Sequence, residues 1–279
     1  MTTPTLTDVG QAKREATVQA LSRDALAHVD ELVDTFVALL VDAEPPGFYD
    51  DEGLADLRTA AHDGVVSVLN VLSGVTPADQ AALEVPRATG RRQVQQDLPL
   101  EGVLRAFRLA GQALWDHLVA RAREGGAPVG DALLDGASEV WRVIDLFCTA
   151  ATQAYREEEA LLRDRDDRVQ AAVLAALFDG RGADPQFARD AAHALGLQPG
   201  DPLVCVVGLA DAPEQLVLDN ARERLRVGGL TSVWTSFAGS DVGLVAVGRR
   251  GPAAIRELLA PAVRTRAGMS PVFTELSEV

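Results

Sequence analysis

Basic residues and cysteines are in short supply here, and each shortage closes off a class of function. Forty-one acidic residues stand against 26 basic ones, for a net charge of −15. A surface that acidic repels phosphate backbones, so the chain by itself is a poor nucleic-acid binder. A single lysine accompanies 25 arginines, a bias that with the Ala, Gly and Val load reflects GC-rich coding and not a binding site. Cys148 and Cys205 are the only cysteines. Two isolated thiols build neither a disulfide framework nor a zinc site, and both read as small buried hydrophobes. No apolar run approaches the roughly 20 residues of a membrane span. The first 16 residues also lack the apolar core of a signal peptide, so a cytoplasmic location without membrane attachment is expected.

Chemistry-bearing motifs are equally sparse. His28, His62, His117 and His193 are scattered, with no H-x-x-x-H spacing, so no metal site and no cofactor are expected. There is no G-x-S-x-G, no Walker loop and no dinucleotide-binding glycine spacing, so no catalytic residues are assigned.

What is present is a change of character near Leu203: helical periodicity before it, alternating strand and helix patterns after it. The charge is uneven in the same sense, −14 over residues 1–180 and −1 over 181–279. In the first part, Leu21, Ala25, Val29, Leu32, Phe36 and Leu39 form one apolar stripe, which predicts a single helix over 16–41. Leu54, Leu57, Ala61, Val65, Val68 and Leu72 predict a second helix over 53–72. Thr76-Pro77 carries a cap-then-proline signal for a short helix, and 86–96 reads as a polar, Arg-bearing one. Leu100, Leu104, Phe107, Gly111, Leu114 and Leu118 predict a helix over 100–123.

From Asp131 an uninterrupted, heavily charged helix is expected to run to Asp179. Leu133, Val140, Phe147, Ala154 and Leu161 recur every seven residues, with Trp141, Cys148 and Tyr155 as a second series beside them. Two adjacent apolar series widen the buried face beyond what one neighbour covers. Hence Trp141, Phe147, Cys148, Tyr155 and Leu161 are the candidate dimer-interface residues, and a homodimer is expected. Beyond this helix, the pattern predicts a helix over 185–195, a strand over 203–209, a helix over 213–226, strands over 230–237 and 242–247, a helix over 252–264 and a strand from Met269. That order suggests an open antiparallel or mixed sheet covered by helices.

Two stretches carry a resemblance. RRQVQQDLPLEGVLRAFRLAGQALWDH, from Arg91 to His117, resembles the middle of the RsbRD-type N-terminal helical domain. DDRVQAAVLAALFDGRGADPQFARDAAHALGLQPGDPLVCV, from Asp166 to Val206, is similar to the start of the GGDEF-like domain of PucR/CdaR-type transcription regulators, and Ala267-Gly268-Met269-Ser270-Pro271 resembles that domain further on. The resemblance implies a multidomain α then α/β chain: a globin-like helical bundle followed by a small α+β GGDEF-like sheet domain. The expected division is a sensor over 1–165, a helical linker over 166–182 and an incomplete GGDEF-like domain over 183–279. It further implies a C-terminal helix-turn-helix beyond Val279, through which alone DNA would be contacted. The function implied is the sensing and dimerisation part of such a regulator, the alternative being a stand-alone stress-signalling interaction module.

The expected hairpin Phe237-Ala238-Gly239-Ser240-Asp241-Val242 keeps one glycine and one Asp, too few to seat a phosphate and Mg²⁺, so no cyclase activity is expected. In the helical part, Arg105, Arg108 and Trp115 have two readings. A cationic fork beside an indole suits a carboxylate or aromatic effector. Alternatively Glu101–Arg105 is an i,i+4 pair and Gln112 with Asp116 continues a solvated face.

Overall fold

The structure is a computed structural model, which describes residues 6–198, 200–209, 217–237, 240–249, 251–261 and 266–279. The chain divides into two compact units, Met1–Ala160 and Leu161–Val279.

The first unit contains α1 (Leu6–Ala27), α2 (Val29–Asp42), α3 (Asp51–Leu72), α4 (Glu84–Gln95), α5 (Leu100–Glu124), α6 (Ala127–Asp135) and the first part of α7 (Ala137–Phe178). The apolar stripes fill one core. Val18 and Leu21 from α1, Leu32 and Phe36 from α2, Leu69 from α3, Leu114 and Leu118 from α5, and Val140, Val143 and Phe147 from α7 are all buried in it. A smaller cluster gathers Val103, Ala151 and Tyr155. Helix ends follow local chemistry: the Asp50 carboxylate accepts the Gly53 N–H at 2.8 Å to open α3.

Three expectations are corrected. The single helix over 16–41 is two helices, broken at His28, whose ψ of 28° leaves the helical range. The short helix at Thr76-Pro77 does not form; residues 78–83 are turns and bends. There the Asp79 carboxylate accepts the N–H groups of Ala81 and Ala82, offering that backbone a local alternative to a helix. The long helix starts at Ala137 and not at Asp131, because α6 ends at Gly136. A Cβ on Gly136 would lie 2.6 Å from Val18 Cγ2 of α1, so the α6–α7 junction has no room for a side chain. From there α7 continues for 42 residues without a glycine or proline.

The second unit has the order expected from sequence. After the end of α7 come α8 (Pro185–Ala194), β1 (Leu203–Leu209), α9 (Val217–Val227), β2 (Ser232–Phe237), β3 (Ser240–Ala246), α10 (Gly251–Leu259) and β4 (Arg266–Met269). Residues 213–216, 238–239 and 262–264 of the expected elements lie outside the described residues. The sheet is antiparallel throughout, in the order β2-β3-β1-β4. This βαββαβ connectivity is the ferredoxin-like arrangement. Period-2 alternation sends Leu203 and Leu244 to one face and Val204, Val206 and Val245 to the other. The first face packs on Leu174 and Leu177 of α7 with Ala191 and Leu195 of α8 or just beyond it; the second packs on Leu225 of α9 and Ile255 of α10. Arg222 of α9 donates to Asp167 of α7 at 2.8 Å.

At Gly90, α4 approaches α7 so closely that a Cβ would sit 2.2 Å from the Ala151 carbonyl oxygen. Backbone cannot yield as a side chain does. Gly90→Ala is therefore expected to destabilise by about 1–3 kcal/mol, the usual cost of overpacking. Gly64→Ala, in the middle of α3 with open space around it, should instead stabilise by about 0.5–1 kcal/mol. Urea unfolding midpoints of the two variants check the opposite signs.

Candidate functional site

The residues expected to bind an effector and those expected to form an interface turn out to share one surface, while other members of both sets fall away from it. Helices α5 and α7 lie close because Gly111 leaves room: a Cβ there would be 3.3 Å from Ile144 Cγ2 and 3.4 Å from Trp141 Cζ3. One turn along α5, the Trp115 ring sits 6.4 Å from the Trp141 ring at an interplanar angle of 37°. Trp115 packs partly against the core, while Trp141 is 46% exposed. Arg108 is exposed, and its charge reaches Cys148 on α7. Arg108, Trp115, Trp141 and Cys148 thus form one α5–α7 face, amphipathic and partly open.

Arg105 is elsewhere. Its guanidinium donates to the Glu44 carboxylate at 2.8 Å and to the Ala43 carbonyl at 3.4 Å, so it anchors the α2–α3 connection. The expected Glu101–Arg105 pair is replaced by this longer-range one, in which Glu44 is only 15% exposed. Burial, reinforced by Glu44, raises the pKa of neighbouring Tyr49.

The interface candidates also divide. Phe147 is 1% exposed inside the main core of its own unit. Tyr155 is buried, and its hydroxyl donates to the Leu98 carbonyl at 3.0 Å. Both side chains are consumed by their own bundle, so neither is available to a partner. Trp141 and Leu161 are exposed, and Cys148 is half-buried. The two thiols are half-buried and not fully enclosed as expected; burial raises the pKa of both, and at Cys148 the Arg108 charge works against it. That makes them weak nucleophiles.

A further cluster was not anticipated. The Arg121 side chain grips Asp24 bidentately, at 2.5 and 3.0 Å, joining α5 to α1. This pairing holds the Asp24 carboxyl below its usual range. His117 lies one turn before Arg121 on α5, with its Nε2 buried and unpartnered among the described residues. Only the His117–Arg121 spacing was visible in sequence; Asp24 is 97 positions away.

In the second unit, Asp241 of the β2–β3 hairpin accepts a hydrogen bond from the Ser236 hydroxyl at 3.1 Å. Ala238 and Gly239, the hairpin tip weighed as a phosphate seat, lie outside the described residues. Among the described residues, no group of three or more His, Cys, Asp or Glu is placed to hold a metal ion, and no helix is long and apolar enough to cross a membrane.

Residues 30–170 match the family model of the RsbT co-antagonist protein rsbRD N-terminal domain, and residues 179–279 match that of the GGDEF-like domain. The first match spans half of the chain, and the chain belongs to that rsbRD N-terminal-domain family. No curated protein matches it. The pairing of the two domains marks a regulatory or signalling module.

Arg105→Met is expected to release the α2–α3 connection, costing about 1 kcal/mol of stability. Amide exchange should quicken over residues 43–50 and stay unchanged in the sheet of the second unit.

Proposed function

We propose that this chain is the sensing and dimerisation portion of a PucR/CdaR-type transcription regulator acting in the cytoplasm. The helical sensor takes residues 1–165, the linker 166–182 and the GGDEF-like domain 183–279. DNA is contacted through a helix-turn-helix domain that follows these residues. The observation that carries the reading is that α7 supplies Phe147 to one core and Leu174 to the other. A shift of that helix disturbs both. Two copies associate through the α5–α7 face, with Trp141 and Cys148 at the contact, and through exposed Leu161 further along α7. Arg108 and Trp115, on the same face, take a small effector with a carboxylate or aromatic group. An effector favouring one packing of that face changes the population of dimer geometries by its differential affinity for them. The GGDEF-like unit serves assembly and relay, without cyclase activity.

A second reading is favoured by the family match. The matched domain takes its name from an RsbT co-antagonist protein. A stand-alone stress-signalling module with a protein partner and no DNA target fits that name.

Light scattering tests the dimer. Twice the chain mass of 29.5 kDa is expected at micromolar concentration. Replacing Trp141 and Leu161 together by Glu should give a folded monomer, since both are exposed. Phe147→Ala should instead lower stability by about 3–5 kcal/mol, because it empties a core site. A monomeric parent protein contradicts the proposal.

A further inference from the structure

The break between α1 and α2 sits over the cluster on α5 that the proposed function does not use. The His28 ring Nδ1 lies 2.9 Å from the Asp24 carbonyl oxygen and 4.0 Å from its carboxylate. Across from them on α5 are His117 and Arg121. The charged and titratable groups acting on His117 are Asp24 and His28 at the elbow, Glu31 in the first turn of α2, and Arg121 on its own helix. Arg121 is already engaged by Asp24 and by Glu124, the latter at 3.2 Å. Buried His117 Nε2 has no hydrogen-bond partner among the described residues.

A neutral imidazole tolerates that position, because one ring nitrogen needs no proton. An imidazolium does not. Both nitrogens then donate, and the buried Nε2–H must find an acceptor. It can draw Asp24 away from Arg121 or pull Glu31 inward, and either movement acts on the elbow. Its charge also lies four residues from Arg121, a repulsive i,i+4 pair.

We infer that the α1–α2 elbow is an acid-sensitive catch: taking up a proton at His117 loosens α1 and α2 from α5. This is a second input to the helical unit, independent of any dimer or DNA target. Burial holds the His117 pKa below that of a free imidazole, and Arg121 pushes it the same way, against Asp24 and Glu31. The unfolded chain therefore binds a proton near pH 6.5 that the folded chain still refuses. Stability falls as pH drops through about 6.5 and levels off below the folded value. Asp24 is depressed, so its contribution is lost only further down, as pH falls below about 4. The two windows do not coincide.

The experiment is amide hydrogen exchange on the full chain at pH 7.5 and 5.5, corrected for intrinsic pH dependence. Exchange over residues 24–36 should accelerate at pH 5.5 relative to pH 7.5, with the sheet of the second unit unchanged. His117→Leu should abolish the acceleration and His28→Gln should keep it. An acceleration that survives His117→Leu, or that disappears in His28→Gln, overturns the inference. A direct NMR titration of the His117 ring in the unmodified protein guards against a variant that fails to fold. A ring that titrates at or above the free-imidazole value overturns it as well.

Discussion

One helix without a glycine or proline supplies hydrophobic side chains to two separate cores, and the remaining structure is arranged around that constraint. Val140, Val143 and Phe147 of α7 are closed inside the helical unit, while Leu174 and Leu177 are closed under the sheet. Between them lie Glu157, Glu158 and Glu159, then Arg163 to Arg168, on a stretch that is mostly exposed. The charged segment has little tertiary packing to hold it. Its helicity rests on backbone hydrogen bonding and on the anchored turns at either end, with external ties that include Gln95 to Glu158 and Arg222 to Asp167. Losing either anchor costs core burial in that unit.

The other contacts make sense against this helix. Small residues let neighbours reach it: Gly90 brings α4 against the Ala151 carbonyl, and Gly111 brings α5 against Ile144 and Trp141. Tyr155 ties it to the α4–α5 corner through Leu98. What these neighbours leave uncovered is the tryptophan-bearing strip shared with α5. A half-open strip holding an indole pair, a thiol and a guanidinium suits recognition.

Much of this was legible in the chain because periodicity reports burial directly. β1 falls on Leu203–Leu209 as read, and its alternation assigns Leu203 and Val204 to opposite faces. The charge change and the strand–helix order located the second unit. What was not legible depends on contacts between distant residues. The stripe from Leu21 to Leu39 runs through His28 without a proline or glycine to mark the break. At Gly136, between α6 and α7, Val18 from 118 positions earlier leaves no room for a side chain. Seven-residue spacing placed Phe147 and Tyr155 on a broad apolar face but could not say which side their own bundle would claim. Arg105 was read with its neighbour Glu101, whereas its partner is Glu44, 61 positions away.

Hydrogen exchange resolved along residues 156–170 tests the central claim most directly. If α7 is one helix seated in two cores, every amide across the charged segment exchanges more slowly than in an unstructured peptide, with no gap. A run of several consecutive amides exchanging at the unstructured rate in the middle would mean two separate helices joined by a tether, and would contradict the account.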